Sequence, residues 1–117
     1  MDAEHEQRMH GVFAWLDEAR ALARQQRNSL VVLMQANPFL EPRRGADGFS
    51  ALRAWLRSAA QEPSLRLLLV HGDTHIYRDD LPLPGLRRVE VPGSPQVRWL
   101  RAAAVPGGVH IEPANPP

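Results

Sequence analysis

The sequence predicts an α/β fold: a helix–strand–helix–strand segment with parallel buried strands, followed by an antiparallel hairpin. Three observations predict it. Two short apolar runs, Ser29 to Gln35 (SLVVLMQ) and Leu65 to His71 (LRLLLVH), each follow a stretch whose apolar residues recur at helical spacing. The segment between the two runs is long enough for a helical crossover, which makes the strands a parallel pair. Beyond Asp80 the character changes: eight of the 11 prolines lie there, around short alternating segments that read as strands and turns.

In order, Ala3 to Arg27 is an amphipathic helix. Met9, Val12, Phe13, Leu16, Ala19 and Ala23 fall on one face. Glu4 and Glu6 at its start and Arg24 and Arg27 near its end complement the helix dipole. Ser29 to Gln35 is a strand buried on both faces, ended by Asn37-Pro38. Phe39 to Gly48 is a loop. Phe49 to Gln61 is the second helix, with Phe49, Leu52, Leu56 and Ala59 apolar and Asp47 or Ser50 as its cap. Leu65 to His71 is the second buried strand. Gly72 to Gly85 is expected to be a long loop. Leu86 to Val91 and Gln96 to Ala103 alternate as half-exposed strands, and Pro92-Gly93-Ser94-Pro95 is expected to join them as a hairpin. Val109 to Glu112 is one more edge strand. The reading is of a single unit over 1–113 with a disordered tail at 114–117.

Composition narrows the function classes. The chain has 117 residues, 44% hydrophobic, and a net charge of +1, enough for one domain. All 14 basic residues are arginine, spread among acids, so nothing marks a nucleic-acid-binding tail. No run of about 18 apolar residues suggests a membrane span. The charged start, Met1 to Arg8, lacks a signal core, and a cytoplasmic location is expected. There are no cysteines, so any metal takes His, Asp, Glu, Asn or Gln ligands.

The strongest local signal is His71-Gly72-Asp73-Thr74-His75, directly after a buried strand. In α/β sheets the crevice beyond the carboxyl ends of the strands holds ligands. The first strand ends in Gln35 and Asn37, so Gln35, Asn37, His71, Asp73 and His75 are expected at one edge. Imidazole and carboxylate suit divalent metals. The competing reading is a hydrogen-bonded loop in which Asp73 or Thr74 fixes a turn.

The stretch VVLMQANPF, then LLLVHGDTH, then VEVPGSPQVRWLR resembles the C-terminal part of a calcineurin-like metallophosphoesterase domain. The opening EHEQRMHGVFAWLDEA resembles a helix that precedes these elements in a bacterial branch of that family, so the resemblance spans Glu4 to Glu112. It implies part of an α/β/β/α sandwich that hydrolyses phosphate esters with divalent metals, of which Mn, Fe or Zn are the candidates. His75 falls on the second His of the family's Gly-His-x-His motif and Gly72 on its glycine. Asp73 falls where the first His would be and Gln35 where an isolated ligand His would be. His71 has no counterpart. The family's Asp-x-His, Gly-Asp-x-x-Asp and Gly-Asn-His-Asp/Glu motifs do not occur ahead of Gln35. The resemblance therefore implies a partial domain, not competent for hydrolysis alone, with His75, Asp73 and Gln35 as metal ligands; His71, at the end of the same strand, is added to them as a candidate by its position.

Two alternatives stand beside it. One is a non-catalytic interaction or dimerisation module; the other is a phosphoesterase whose site a second chain completes. Expected partners are accordingly a missing N-terminal half, a second copy and a phosphate-ester substrate. Elsewhere, His5, His10 and His110 are expected to face solvent. Arg87-Arg88, Arg98 and Arg101 read as a solvated strand face, and Asp79-Asp80 as a solvated loop. Trp15, Trp55 and Trp99 read as core or as the face that meets a missing half.

Overall fold

The computed structural model describes residues 3–40, 47–95 and 98–114. Helix α1 (Ala3–Gln26) leads into β1 (Ser29–Met34), helix α2 (Ser50–Ala60) and β2 (Arg66–His71). Four strands follow: β3 (Arg78–Leu83), β4 (Leu86–Glu90), β5 (Trp99–Val105) and β6 (Gly108–Ala114). A mixed four-stranded sheet has the order β1-β2-β4-β3, and β5-β6 forms a separate antiparallel ribbon. β1 and β2 are parallel, with Ser29 opposite Arg66 and Met34 opposite His71. The expected fold class and its helix–strand–helix–strand opening are observed.

The two central strands carry the core. On one face Leu67, Leu69 and Leu86 pack with Leu52, Trp55, Leu56 and Ala59 of α2 and with Ala23 of α1. On the other, Leu68 and Val89 pack under Ile111 of the ribbon. α1 is tied to α2 by polar contacts as well as apolar ones. Asp17 accepts a 2.8 Å hydrogen bond from the Trp55 indole, and Glu62 pairs with Arg20 and Arg24 at 3.0 and 3.2 Å. The Arg20 guanidinium also lies over the Trp55 ring, 5.6 Å from its centre.

Several expectations are corrected. β1 is not buried on both faces: it is the outer strand, and Leu33 is 74% exposed. Gly72 to Gly85 is not all loop. Residues 78–83 form β3, an edge strand that admits Pro82 and an irregular register between Asp80 and Leu83. An antiparallel hairpin does follow β2, but β4 pairs with β3 across Pro84-Gly85, and β5 pairs with β6 across Pro106-Gly107. Both links place Pro first and a positive-φ glycine second, Gly85 at 81° and Gly107 at 89°, the pattern of a type II turn. Pro92-Gly93-Ser94-Pro95 is a connection between the two β layers rather than a hairpin turn. β4 is buried rather than half-exposed because β2 and β3 flank it. Trp55 is core, whereas Trp15 and Trp99 are exposed. Ala114 pairs with Trp99 as the last residue of β6; the rest of the expected tail lies outside the described residues, as do positions 41–46 of the expected loop.

Candidate functional site at the carboxyl edge of the sheet

The parallel pairing of β1 with β2 brings both carboxyl ends to one edge. Gly72 N donates to Gln35 O at 3.0 Å just past the strands, and Val91 N donates to His71 O at 2.8 Å on the other side. Gln35, His71, Gly72, Asp73, His75 and Gly93 line an open cleft of about 370 Å³ there. The candidate ligands Gln35, His71, Asp73 and His75 are therefore collected at one place, but their chemistry differs.

His71 is 1% exposed and fully engaged. Its Nδ1 lies 2.7 Å from Gly72 O, which can only accept, so Nδ1–H donates. Nε2 is then the acceptor for Arg88 Nη1 at 3.3 Å, since a guanidinium can only donate. Neither nitrogen is left for a metal. Asp73 caps the end of the neighbouring strand: Oδ2 accepts from Asn37 N at 3.0 Å. Asn37 turns the chain as expected, its Oδ1 accepting from Phe39 N at 2.9 Å. The Gln35 side chain lies against Gly72.

His75 is different. It stands exposed at the mouth of the cleft, and its Nδ1 lies 3.1 Å from Ser94 O. That carbonyl accepts a hydrogen bond from Nδ1–H, so Nε2 carries the lone pair. A backbone carbonyl orienting the second ring nitrogen is the usual support of a metal-binding histidine. Gly93 makes this pose possible, because a Cβ there would lie 2.7 Å from His75 Cδ2. Asp73 and His75 also hold left-handed backbones, φ 97° and 63°. Such conformations cost about 1–3 kcal/mol each in non-glycine residues and cluster at functional sites.

Two residues that sequence reasoning assigned to solvent, or passed over, hold this loop. Glu90, 0% exposed, turns Oε2 toward Thr74 N at 3.1 Å, the Thr74 hydroxyl and Ile76 N at 3.4 Å, while Oε1 faces Arg78 Nε at 3.3 Å. Arg88, 5% exposed, makes a bidentate pair with Asp80 at 2.6 and 2.8 Å. Arg88 therefore does not lie on a solvated face, and Asp79-Asp80 is not a free loop: Asp79 takes a matching fork from Arg87 at 2.9 and 2.8 Å. These forks hold both carboxyls below the usual carboxylate range, hydrogen bonding to Arg87 and to Arg88 being the largest cause. The one available signal was charge order, Asp79-Asp80 before a Pro-Gly turn and Arg87-Arg88 after it.

Among the described residues, no group of three or more His, Asp or Glu side chains is placed to hold a metal ion. The donor set does not by itself fit the two-metal centre that the family resemblance implies, because structural and catalytic sites take three or more protein ligands. No protein-family model, curated protein or solved structure matches the chain. No helix among the described residues is long and apolar enough to cross a membrane.

Proposed function

We propose that the chain is a metallophosphoesterase-like module, of the phosphate-ester hydrolase class, whose carboxyl-edge cleft contributes His75 and Asp73 to a divalent-metal site that needs further ligands to become catalytic. The pose of His75 carries this reading: an exposed imidazole, oriented by a carbonyl through Nδ1, on a loop with two left-handed residues. Gln35 and Asp73 flank it in the same cleft. His71 belongs to the supporting network and not to the ligand set.

Calorimetric titration of the metal-stripped chain with Mn²⁺ and Zn²⁺, repeated on His75→Ala, tests it. Weak uptake that disappears in the variant is expected, with no hydrolysis of bis(p-nitrophenyl) phosphate by the chain alone. Uptake unaffected by the substitution contradicts the reading.

A second reading, a dimerisation module, draws on a different observation. The outer strand β1 is uncharged, and with Trp15 (71% exposed) and Leu33 it borders an apolar groove of about 360 Å³ beside α1. Edge strands without charges or prolines invite pairing with another chain. Sedimentation that shows a concentration-dependent dimer, abolished by Leu33→Lys, favours this reading; a monomer at all concentrations removes it.

A further inference from the structure

A second pair of clefts opens at the amino-terminal edge of the sheet, at the opposite end of β1 and β2 from His75. One, of about 380 Å³, is lined by Arg27, Asn28, Ser29, Arg66 and the Gly107–Gly108 turn. Its neighbour, of about 440 Å³, shares Ser29, Arg66 and the same turn and continues over Leu65, Leu68 and Leu81.

The parallel register sets Ser29 opposite Arg66. The Arg66 guanidinium and the Ser29 hydroxyl converge on the turn, lying 3.7 and 3.8 Å from where a Gly108 side chain would begin. A Cβ on Gly107 would lie 3.2 Å from Arg66 Nη1, so the bare turn leaves room for the guanidinium. The backbone of Arg27 is fixed on the other side of the cleft. It follows α1 with φ 56°, held between Arg27 N donating to Arg24 O at 3.3 Å and Asn28 N donating to Ala23 O at 2.9 Å.

The charge balance here is unlike that of the carboxyl edge. Arg20, Arg24, Arg53, Arg78, Arg87 and Arg88 each have a carboxylate partner. Among the described residues, Arg8, Arg27, Arg57, Arg66, Arg98 and Arg101 form no such pair; Arg27 and Arg66 lie together at one cleft, and no carboxylate lines either cleft. Two guanidiniums at one cleft repel each other until an anion is placed between them. Planar guanidinium forks match the oxygens of phosphate and carboxylate.

We infer that this edge binds a phosphate-type oxyanion. Arg27 and Arg66 supply the charge, Ser29 and Asn28 supply neutral hydrogen bonds, and the Leu65–Leu81 shelf receives an apolar substituent. Two cations favour a dianion over a monoanion, so a phosphate monoester binds more tightly than a carboxylate of the same shape. This site uses none of the cleft around His75, and its success or failure is independent of the metal reading.

The test is a titration of the full chain with inorganic phosphate, phenyl phosphate and benzoate at constant ionic strength, followed by amide NMR. Saturable shifts at Ser29, Gly107 and Gly108 are expected, with affinity in the order phenyl phosphate, phosphate, benzoate. Arg66→Gln is expected to weaken phosphate binding about tenfold, and Arg66→Lys less, because an ammonium keeps the charge without the fork. Arg57→Gln, on an exposed part of α2, and His75→Ala leave it unchanged. If Arg66→Gln does not fold, Arg27→Gln carries the same expectation. Absence of saturable shifts at these amides, or a phosphate affinity in the Arg66→Gln and Arg27→Gln variants equal to that of the unsubstituted chain, overturns the inference.

Discussion

The two ends of the parallel strands are built from similar residue types and are used in opposite ways. At the carboxyl ends of β1, β2 and β4, the polar side chains are turned on one another: Arg88 on His71 and Asp80, Glu90 on Thr74 and Ile76, Asp73 on Asn37. At the amino ends, Arg27 and Arg66 face a cleft with no carboxylate in it. A polar residue at a strand end therefore means little until its partners are counted. At the carboxyl end the network holds the loop from Gly72 to Ile76 in a costly conformation, so that one group, His75, is left to act outward. At the amino end the guanidiniums themselves are the available groups.

The largest effect expected is at Glu90. Glu90→Ala removes the acceptor for Thr74 N, the Thr74 hydroxyl and Ile76 N, and leaves Arg78 without its buried partner. A loss of about 3–5 kcal/mol in chemical denaturation is expected, as for other broken buried charge contacts. If the loss is under about 1 kcal/mol, water replaces the carboxylate and the loop does not depend on it.

Gly85→Ala comes next, at the amino end. The new Cβ would lie 2.4 Å from the backbone oxygen of Ala60, at a φ of 81°. Strain and displacement of α2 together should cost about 2–4 kcal/mol. Gly107→Ala shares the positive φ but meets only the end of the flexible Arg66 side chain, so about 1–2 kcal/mol is expected. Equal losses at the two glycines contradict the view that α2 packs rigidly on the Pro84-Gly85 turn.

Gly93→Ala is a smaller change in stability and a sharper one in the site. Its Cβ displaces the His75 ring and with it the bond to Ser94 O. Loss of His75-dependent metal uptake with a stability change of about 1–2 kcal/mol is the expected outcome. Retained uptake shows that the pose of the ring is not what matters.

The smallest effect is the pH dependence of the Arg–Asp forks. Asp79 and Asp80 have lowered pKa values in the folded chain. Between those values and the unfolded one of about 3.9, the unfolded state binds more protons, so stability rises with pH. The contribution is complete above the unfolded pKa and is lost as pH falls through the folded ones. Asp80 is 45% exposed, so its share is about 0.5–1 kcal/mol. Asp80→Asn should flatten the acid limb of a stability–pH curve by that amount, and an unchanged limb contradicts it.

How much of this was legible in the sequence depends on what carried the signal. α1, α2, β1 and β2 follow from apolar spacing, and the parallel pairing from the crossover between them. That pairing alone placed Gln35, Asp73 and His75 at one edge. β3 was not legible because Arg78-Asp79-Asp80-Leu81-Pro82-Leu83 has neither alternation nor an uninterrupted apolar run, and its pairing comes from the forks to β4. With β3 unseen, β4 looked half-exposed, Arg88 looked solvated and Glu90 was passed over. The burial of both is a tertiary fact: each charge is covered because a neighbouring segment brings it a partner. The division of labour between His71 and His75 was equally hidden, since it rests on which backbone carbonyl and which guanidinium reach each ring.

His75 is the group that the carboxyl edge is proposed to leave for metal binding. Amide and imidazole NMR spectra recorded with substoichiometric Mn²⁺ test it most directly, because the paramagnetic ion broadens only signals near where it resides, even at weak sites. Selective broadening is expected at His75, Asp73 and Gln35, with His71 less affected and all of it lost in His75→Ala. Broadening centred on other residues, or unchanged by that substitution, would mean that His75 is not the metal-binding group.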